Sequence, residues 1–138
     1  MAEASFNHEH AFPRGAAAAL PADRLLRMYR DMLEQRRFEE AAGRAYGTGK
    51  IFGFCHLYIG QEAISVGAAA SLRKSDVMIS AYRIHAQAMA RGMSAQSAMD
   101  ELFGRATGCV GGVGGSMHLF DIPNGFWGGW GLVGQQIP

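Results

Sequence analysis

The sequence predicts a protein of the α/β class, in which helices alternate with a short strand and lead into a glycine-rich segment. Of the 138 residues, 49% are hydrophobic and 18% are charged, a balance typical of a folded domain. Most of the 19 glycines fall between Gly104 and Gly134, where we expect the backbone to bend sharply or to approach another group closely. A chain of this length can bury the core of one domain.

The charge balance excludes several classes of partner. The 13 basic and 12 acidic residues leave a formal net charge of +1, so there is no electrostatic basis for binding nucleic acid or an anionic membrane surface. No run approaches the ~18 consecutive apolar residues of a membrane span. Cys55 and Cys109 fit neither a disulfide framework nor a zinc site, and we interpret them as reduced thiols of an intracellular, cytoplasmic protein.

The N-terminal residues 1–20 are predicted to form a flexible leader, and residues 21–138 the domain. An alanine run within the leader is typical of targeting segments. Glu3, Glu9 and the shortness of the apolar stretch argue against a signal or transit peptide.

A long amphipathic helix is predicted from Pro21 to near Gly47, because proline is favoured in a first turn and apolar residues recur at helical spacing. The apolar stripe consists of Leu25, Met28, Tyr29, Met32 and Leu33, and it continues loosely through Phe38, Ala41, Ala42 and Ala45. We interpret this stripe as an ordinary packing face.

A second helix is predicted from near Gln61 to Leu72, after a loop dense in aromatic residues. Most of its residues are small, as Ala63 and Ala68 illustrate, so we expect it to be buried closely against other elements.

A buried strand is predicted over residues 76–82 (DVMISAY), which form a short apolar run. Ser94 is the predicted N-cap of a further helix that extends through Phe103. The apolar face of that helix consists of Ala95, Ala98, Met99 and Leu102.

A polar cluster follows directly on the predicted strand, and it contains Tyr82, Arg83 and His85. Ligands of open α/β sheets bind beyond the carboxyl ends of strands. An arginine fork matches a phosphate group, and a tyrosine hydroxyl adds a further donor. The alternative is a surface arginine beside a packed tyrosine.

His56 lies in the aromatic loop, where a histidine is either a structural residue or, within a cleft, a group that can shuttle a proton. The stretch GGVGGSMH at residues 111–118 has the composition of a phosphate cradle, but it lacks the lysine and spacing of a P-loop. A flexible loop is the alternative for that stretch.

Near the end of the chain, Gly129, Gly131 and Gly134 fit the pattern G-x-G-x-x-G. A dinucleotide site requires a strand before this pattern and a helix after it. Glycines and aromatic residues precede it here, and Pro138 follows within four residues of Gly134. We therefore reject a dinucleotide site and expect no NAD binding.

Four stretches in order resemble one family: GFCHLYIGQEA (53–63), AYRIH (81–85), GGSMHLF (114–120) and GLVGQQIP (131–138). They are similar to the alpha subunits of the thiamine-diphosphate-dependent decarboxylating component of pyruvate dehydrogenase. The resemblance covers about residues 22–138, including the intervening ELFGRATG. The sequences of these motifs resemble those of the pyruvate and acetoin enzymes more than those of the branched-chain 2-oxoacid enzymes.

The resemblance implies the N-terminal part of a thiamine-diphosphate-binding fold, a parallel sheet flanked by helices. It implies oxidative decarboxylation of pyruvate and acyl transfer to a lipoyl group. Its cofactors would be thiamine diphosphate and Mg²⁺. The metal ligands of the family belong to a GDG…N motif expected beyond residue 138, so the chain is expected to be a truncated alpha subunit that is inactive alone.

The implied partners are a beta subunit, a dihydrolipoyl acyltransferase and a small 2-oxo acid. An acetoin dehydrogenase alpha subunit is one alternative function. The other alternative is a non-catalytic interaction module that docks on a beta subunit.

The family pattern also implies roles for particular residues. Tyr82 and Arg83 would contact the cofactor's diphosphate, and Gly131 and Val133 would face its aminopyrimidine through main-chain atoms. His56 would be the catalytic residue on the substrate side.

Two positions depart from the family pattern. Ala86 stands where glycine is usual, and Val113 stands where lysine is common. Gly114 and Gly115 are interpreted as loop architecture rather than cofactor contacts.

Overall fold

The computed structural model describes residues 19–137 and confirms the α/β class. The leader predicted over residues 1–20 lies outside the described residues except at its last two positions. The helices and strands, in chain order, are α1 (Ala22–Gly47), α2 (Glu62–Ser71), β1 (Met78–Ala81), α3 (His85–Ala90), α4 (Ala95–Leu102) and β2 (Phe126–Trp130). Two 3₁₀ turns, Gly115–Met117 and Ile122–Asn124, precede β2.

Helix α1 has the predicted bounds, but only the C-terminal part of its predicted packing face is buried. Pro21 is its N-cap, and the chain leaves the helix after Gly47. Its buried residues lie in the C-terminal half and are Gln35, Phe38, Glu39 and Ala42. Leu26 and Tyr29, by contrast, are 66% and 61% exposed. The predicted packing face is therefore confirmed at Phe38 and Ala42, but its N-terminal part is exposed, because the described contacts bury the C-terminal half of α1.

Helix α2 also has the predicted bounds, but only one of its faces is buried. That face consists of Glu62, Ser65 and Val66. Ala63 and Ala68 are exposed. The expected packing against other elements is present, since α2 packs against α1 and α3, but it buries only this one face.

The two strands form a parallel pair in which Met78 lies opposite Phe126 and Ala81 opposite Trp130. The register shifts between Met78 and Ser80. Strand β1 lies within the predicted run but is not buried, since Ile79 is 44% exposed. Within residues 19–137 the sheet has only these two strands, so β1 is hydrogen-bonded along one edge.

Strand β2 is not predicted from the sequence, because the residues before the terminal motif are glycines and aromatic residues. Glycine has low strand propensity, and β2 contains Gly128 and Gly129. A Cβ built on Gly129 would lie 2.0 Å from Cδ1 of Ile84 and 2.5 Å from the carbonyl oxygen of Met117. Glycine is therefore present because the strand packs closely against its neighbours.

The core forms where α1, α3, α4 and β2 meet. Ile84, Leu119 and Phe126 are fully buried within it. Helix α4 contributes Ala98 and Leu102, as predicted, and Ser94 caps it by accepting a hydrogen bond from the Ser97 N–H at 3.1 Å. The described part of the chain contains no helix whose length and hydropathy would allow it to cross a bilayer.

Candidate cofactor site

A cleft of about 400 Å³ lies at the carboxyl end of β1. Three of the residues singled out from the sequence, Tyr82, Arg83 and Val133, line it. Tyr82 and Arg83 follow directly on the strand, and Val133 comes from the segment after β2. The parallel pairing of β1 and β2 brings the ends of both strands to this edge, so residues about 50 positions apart meet there.

Arg83 is the charged residue of this cleft. Its guanidinium donates one hydrogen bond to the carbonyl oxygen of Leu57 and lies 5.7 Å from the centroid of the Tyr82 ring. A guanidinium has five N–H donors, so the contact with Leu57 uses only part of its capacity. Because the side chain is exposed, the remaining donors can reach an anionic ligand.

Tyr58 and Gln87 form a polar wall of the cleft that sequence reasoning did not identify. The Gln87 Nε2 donates to the Tyr58 hydroxyl at 3.3 Å. Within residues 19–137 the buried Oε1 of Gln87 has no hydrogen-bond partner. Burial raises the pKa of the Tyr58 hydroxyl, which therefore stays protonated at neutral pH. The wall thus adds polar groups beside Tyr82 and Arg83.

His56 lies beside this cleft rather than in its lining. Its half-buried ring packs against Tyr82, with 4.7 Å between the ring centroids, and stacks on Phe54 at 6.1 Å. The His56 backbone N–H donates to the Ser116 hydroxyl at 3.0 Å. Tyr82 therefore contacts the imidazole and also lines the cleft.

Gly131 and Val133 occupy the segment that follows β2. Val133 is 77% exposed at the mouth of the cleft. A Cβ built on Gly131 would lie 3.7 Å from Cε1 of His118, an ordinary contact distance. None of the described neighbours therefore requires glycine at position 131, and the contact with an aminopyrimidine stays a prediction.

The glycine-rich segment before the second 3₁₀ turn binds a carboxylate of the protein itself. Glu101 is fully buried and accepts hydrogen bonds from four backbone N–H groups. These donors are Val110, Gly112, Gly114 and Gly115, at 2.9, 2.9, 2.7 and 3.2 Å. The segment is therefore an anchored loop rather than a phosphate cradle, in agreement with the architectural interpretation of Gly114 and Gly115.

Burial acts to raise the pKa of the Glu101 carboxyl, but the four N–H donors together outweigh burial and lower it. Sequence reasoning missed Glu101 because a glutamate within a helix normally faces solvent.

The described residues contain two free cysteines and no cluster of three or more potential metal ligands of the His, Cys, Asp or Glu type. Burial raises the pKa of the Cys55 thiol and that of the Cys109 thiol. Both side chains are therefore protonated at neutral pH.

Comparison with known proteins gives a consistent set of matches. Residues 26–138 match the family model described as "Dehydrogenase E1 component". The chain is 55% identical over 113 residues to the pyruvate dehydrogenase E1 component subunit alpha of Rickettsia prowazekii, a match that covers 82% of the chain and 35% of that relative. It is 50% identical over 126 residues to the subunit of the same name from Rhizobium meliloti, covering 91% and 36%.

A plant relative extends this set. The chain is 46% identical over 129 residues to the chloroplastic pyruvate dehydrogenase E1 component subunit alpha-3 of Oryza sativa subsp. japonica, a match that covers 93% of the chain and 30% of that relative. The chain thus spans about a third of the length of these curated relatives.

Proposed function

Since this chain belongs to the dehydrogenase E1 component family, we propose that it forms part of the alpha subunit of a thiamine-diphosphate-dependent pyruvate dehydrogenase. The reaction of the whole enzyme would be oxidative decarboxylation of pyruvate, followed by transfer of the acetyl group to a lipoyl group. The proposed partners are a beta subunit and a dihydrolipoyl acyltransferase. Mg²⁺ would accompany the diphosphate, with ligands from outside the residues described here.

The convergence of Tyr82, Arg83 and Val133 on one cleft carries this proposal. The donor chemistry of the cleft fits a diphosphate, because the guanidinium and the phenol present N–H and O–H donors side by side. Tyr58 and Gln87 add polar groups to the same cleft. When bound, thiamine diphosphate supplies the nucleophilic carbon and the electron sink that decarboxylation requires.

The chain's own residues would bind the cofactor and orient the substrate. Arg83 and Tyr82 would hold the diphosphate oxygens, and Val133 would cover the mouth of the cleft. His56 packs on the face of Tyr82 and would orient the 2-oxo acid or donate a proton to it. The contact between the two rings keeps the imidazole at a fixed distance from the diphosphate-binding residues.

Calorimetric titration of the purified chain tests the cofactor assignment. We expect thiamine diphosphate to bind, and thiamine without phosphates to bind more weakly by roughly 1.5–3 kcal/mol for each lost charged hydrogen bond. NAD should give no heat of binding. Equal affinities for thiamine and its diphosphate would contradict the assignment of Tyr82 and Arg83, and saturable binding of NAD would favour a dinucleotide site.

Turnover by a full-length alpha subunit that contains this chain, assembled with a beta subunit, tests the substrate. The assay supplies thiamine diphosphate, Mg²⁺ and an artificial electron acceptor, and compares pyruvate, acetoin and a branched-chain 2-oxo acid. We expect pyruvate to give the highest kcat/KM. A preference for acetoin would support an acetoin dehydrogenase, and a stable complex that neither binds the cofactor nor turns over would support an interaction module.

A further inference from the structure

A chain of buried polar side chains lies behind His56. It begins at Glu39 in the middle of α1, passes through His85 at the start of α3 and ends at Ser116 in the first 3₁₀ turn. Both carboxylate oxygens of Glu39 lie 3.0 Å from Nδ1 of His85. The Nε2 of His85 lies 2.8 Å from the Ser116 hydroxyl oxygen. Glu39 and His85 are fully buried and Ser116 is 3% exposed, so the network excludes solvent.

The chemistry of these groups gives the hydrogen bonds a direction. A carboxylate can only accept, so Nδ1 of His85 carries the proton in the contact with Glu39. In a neutral imidazole, Nε2 is then an acceptor, and the Ser116 hydroxyl donates to it. The lone pairs of the Ser116 oxygen are left to accept from other groups. One of these groups is the backbone N–H of His56, at 3.0 Å.

The same three residue types form nucleophilic triads in hydrolases, in which serine attacks a substrate. Burial argues against that chemistry here. The Ser116 hydroxyl is enclosed by the protein, and its oxygen is already engaged with His85 and His56.

The network instead joins three separate segments to the loop of the candidate catalytic residue. Helix α1, helix α3 and the glycine-rich segment meet through Glu39, His85 and Ser116, and the hydroxyl of Ser116 holds the backbone of His56. The residue held by this backbone contact also carries the imidazole ring that packs on Tyr82. A displaced backbone at position 56 would therefore move the ring relative to the cleft.

We propose that Ser116 is a positioning residue for His56, and that His85 and Glu39 orient its hydroxyl. The proposal concerns the geometry of the loop. Its catalytic meaning rests on the proposed function, in which His56 faces the 2-oxo acid.

Hydrogen exchange of the His56 amide in the full chain, without cofactor, tests the contact. In Ser116→Ala we expect exchange at His56 to become about tenfold faster, the factor that corresponds to a hydrogen bond of ~1.4 kcal/mol. The amide of Met78, which donates to the Gly125 carbonyl at 2.8 Å in the sheet, reports on global opening and should not change. Equal acceleration at both amides, or no change at His56, would overturn the proposal.

Ser65→Ala is the matched control for loss of a buried hydroxyl. Ser65 is fully buried and donates to Gln35 at 2.6 Å, but it does not contact His56. We expect exchange at His56 to stay within about twofold of its original rate in this variant, because the hydrogen bond that is lost lies elsewhere in the core. Acceleration as large as that in Ser116→Ala would contradict a specific role for Ser116.

Two substitutions of His85 separate its two contacts. In His85→Gln the amide reaches towards the Nε2 position and can still pair with Ser116, whereas in His85→Asn the amide reaches only Glu39. We expect slow exchange at His56 to be retained in His85→Gln and lost in His85→Asn. The opposite order, or equal exchange rates in the two variants, would overturn the role of His85.

Nitrogen NMR of the unsubstituted chain provides a test that does not depend on the folding of a variant. We expect the proton of His85 on Nδ1 and an unprotonated Nε2. A proton on Nε2 would overturn the proposed orientation of the Ser116 hydroxyl.

The affinity for thiamine diphosphate separates this proposal from the proposed function. Ser116→Ala leaves Tyr82 and Arg83 in place, so we expect its dissociation constant to match that of the original chain while exchange at His56 accelerates. Absence of cofactor binding in both chains would contradict the proposed function and leave the exchange measurement valid. A large loss of affinity in Ser116→Ala alone would contradict a role confined to His56.

Discussion

Arg83 is the residue on which the proposed diphosphate contact depends most directly. Its guanidinium is exposed at the cleft, donates a hydrogen bond to the Leu57 carbonyl and packs on the Tyr82 ring. We expect Arg83→Ala to weaken binding of thiamine diphosphate by roughly 1.5–3 kcal/mol, because a charged hydrogen bond to the ligand is lost. Calorimetry on the two chains measures the difference.

Arg73→Ala is the control for this loss of charge. Arg73 is exposed and pairs with Asp76 at 3.0 Å, away from the residues that line the cleft. An exposed pair of this kind contributes only about 0–1 kcal/mol to stability, and we expect its loss to leave the affinity for the cofactor unchanged. If Arg83→Ala and Arg73→Ala behaved alike, the diphosphate assignment would fail.

The sequence identifies the residue types at this site, but it does not show which other residues surround them in the fold. Tyr82 and Arg83 stand in a recognisable motif after a strand, and their donor chemistry predicts an anion. Gln87 belongs to no motif, and its exposed or buried state depends on how α3 packs. Only the folded chain brings Gln87 to the wall of the cleft.

The glycine-rich loop of residues 110–115 depends for its stability on one carboxylate, that of Glu101. Glu101→Gln replaces an acceptor of four hydrogen bonds with an amide whose NH₂ group faces N–H donors. We expect the free energy of unfolding to fall by about 2–4 kcal/mol, because buried donors lose a charged partner. Denaturant unfolding checks this value. Glu40→Gln, which breaks only the exposed pair with Arg37, should lower stability by no more than about 0.5 kcal/mol.

The same carboxylate predicts how stability changes with pH. The pKa of Glu101 is lower in the folded chain than its ordinary value of 4.5, so the unfolded chain binds more protons near that pH. The stabilisation from Glu101 is therefore complete above pH 4.5 and is lost as the pH falls towards the folded-state pKa. We expect the difference in unfolding free energy between the original chain and Glu101→Gln to shrink on acidification below pH 4.5. A constant difference over this range would contradict ionisation of Glu101.

Strand β2 predicts opposite effects for two glycine substitutions. A Cβ at Gly129 would clash with Ile84 and with the Met117 carbonyl, so we expect Gly129→Ala to destabilise the fold by about 1–3 kcal/mol or more through overpacking. Gly67 lies inside α2 with nothing within 4 Å of a built Cβ. There we expect Gly67→Ala to stabilise by about 0.5–1 kcal/mol, as alanine is the better helix former.

Thermal unfolding of both glycine variants measures the two signs. Stabilisation by Gly129→Ala would show that β2 does not pack against α3 as described. Destabilisation by Gly67→Ala would show that this face of α2 contacts another part of the protein.

At the scale of the whole molecule, the described chain exposes several large apolar side chains. Leu26, Ile64 and Leu132 are 66%, 63% and 68% exposed. Extended apolar surface on a protein commonly marks an interaction site. The proposed function supplies a beta subunit as the partner, so we expect some of these side chains to become protected when the two chains associate.

Radical footprinting of the chain with and without a beta subunit measures that protection. Lys74 and Arg105 serve as exposed polar reference positions within the same experiment. Association without protection at any of the three apolar side chains would show that the beta subunit covers a different surface.

The sequence by itself determined the α/β class, the bounds of α1, α2 and α4, and the motifs that indicate the family. Helical periodicity, the Ser94 cap and the turn residues act over a few neighbouring positions, so they can be read without the fold. Only the folded chain shows the pairing of β2 with β1, the exposure of β1 and of the N-terminal part of the α1 stripe, and the burial of Glu39, His85 and Glu101. These features depend on contacts between residues far apart in the chain, and local patterns contain no information about which surfaces such contacts cover.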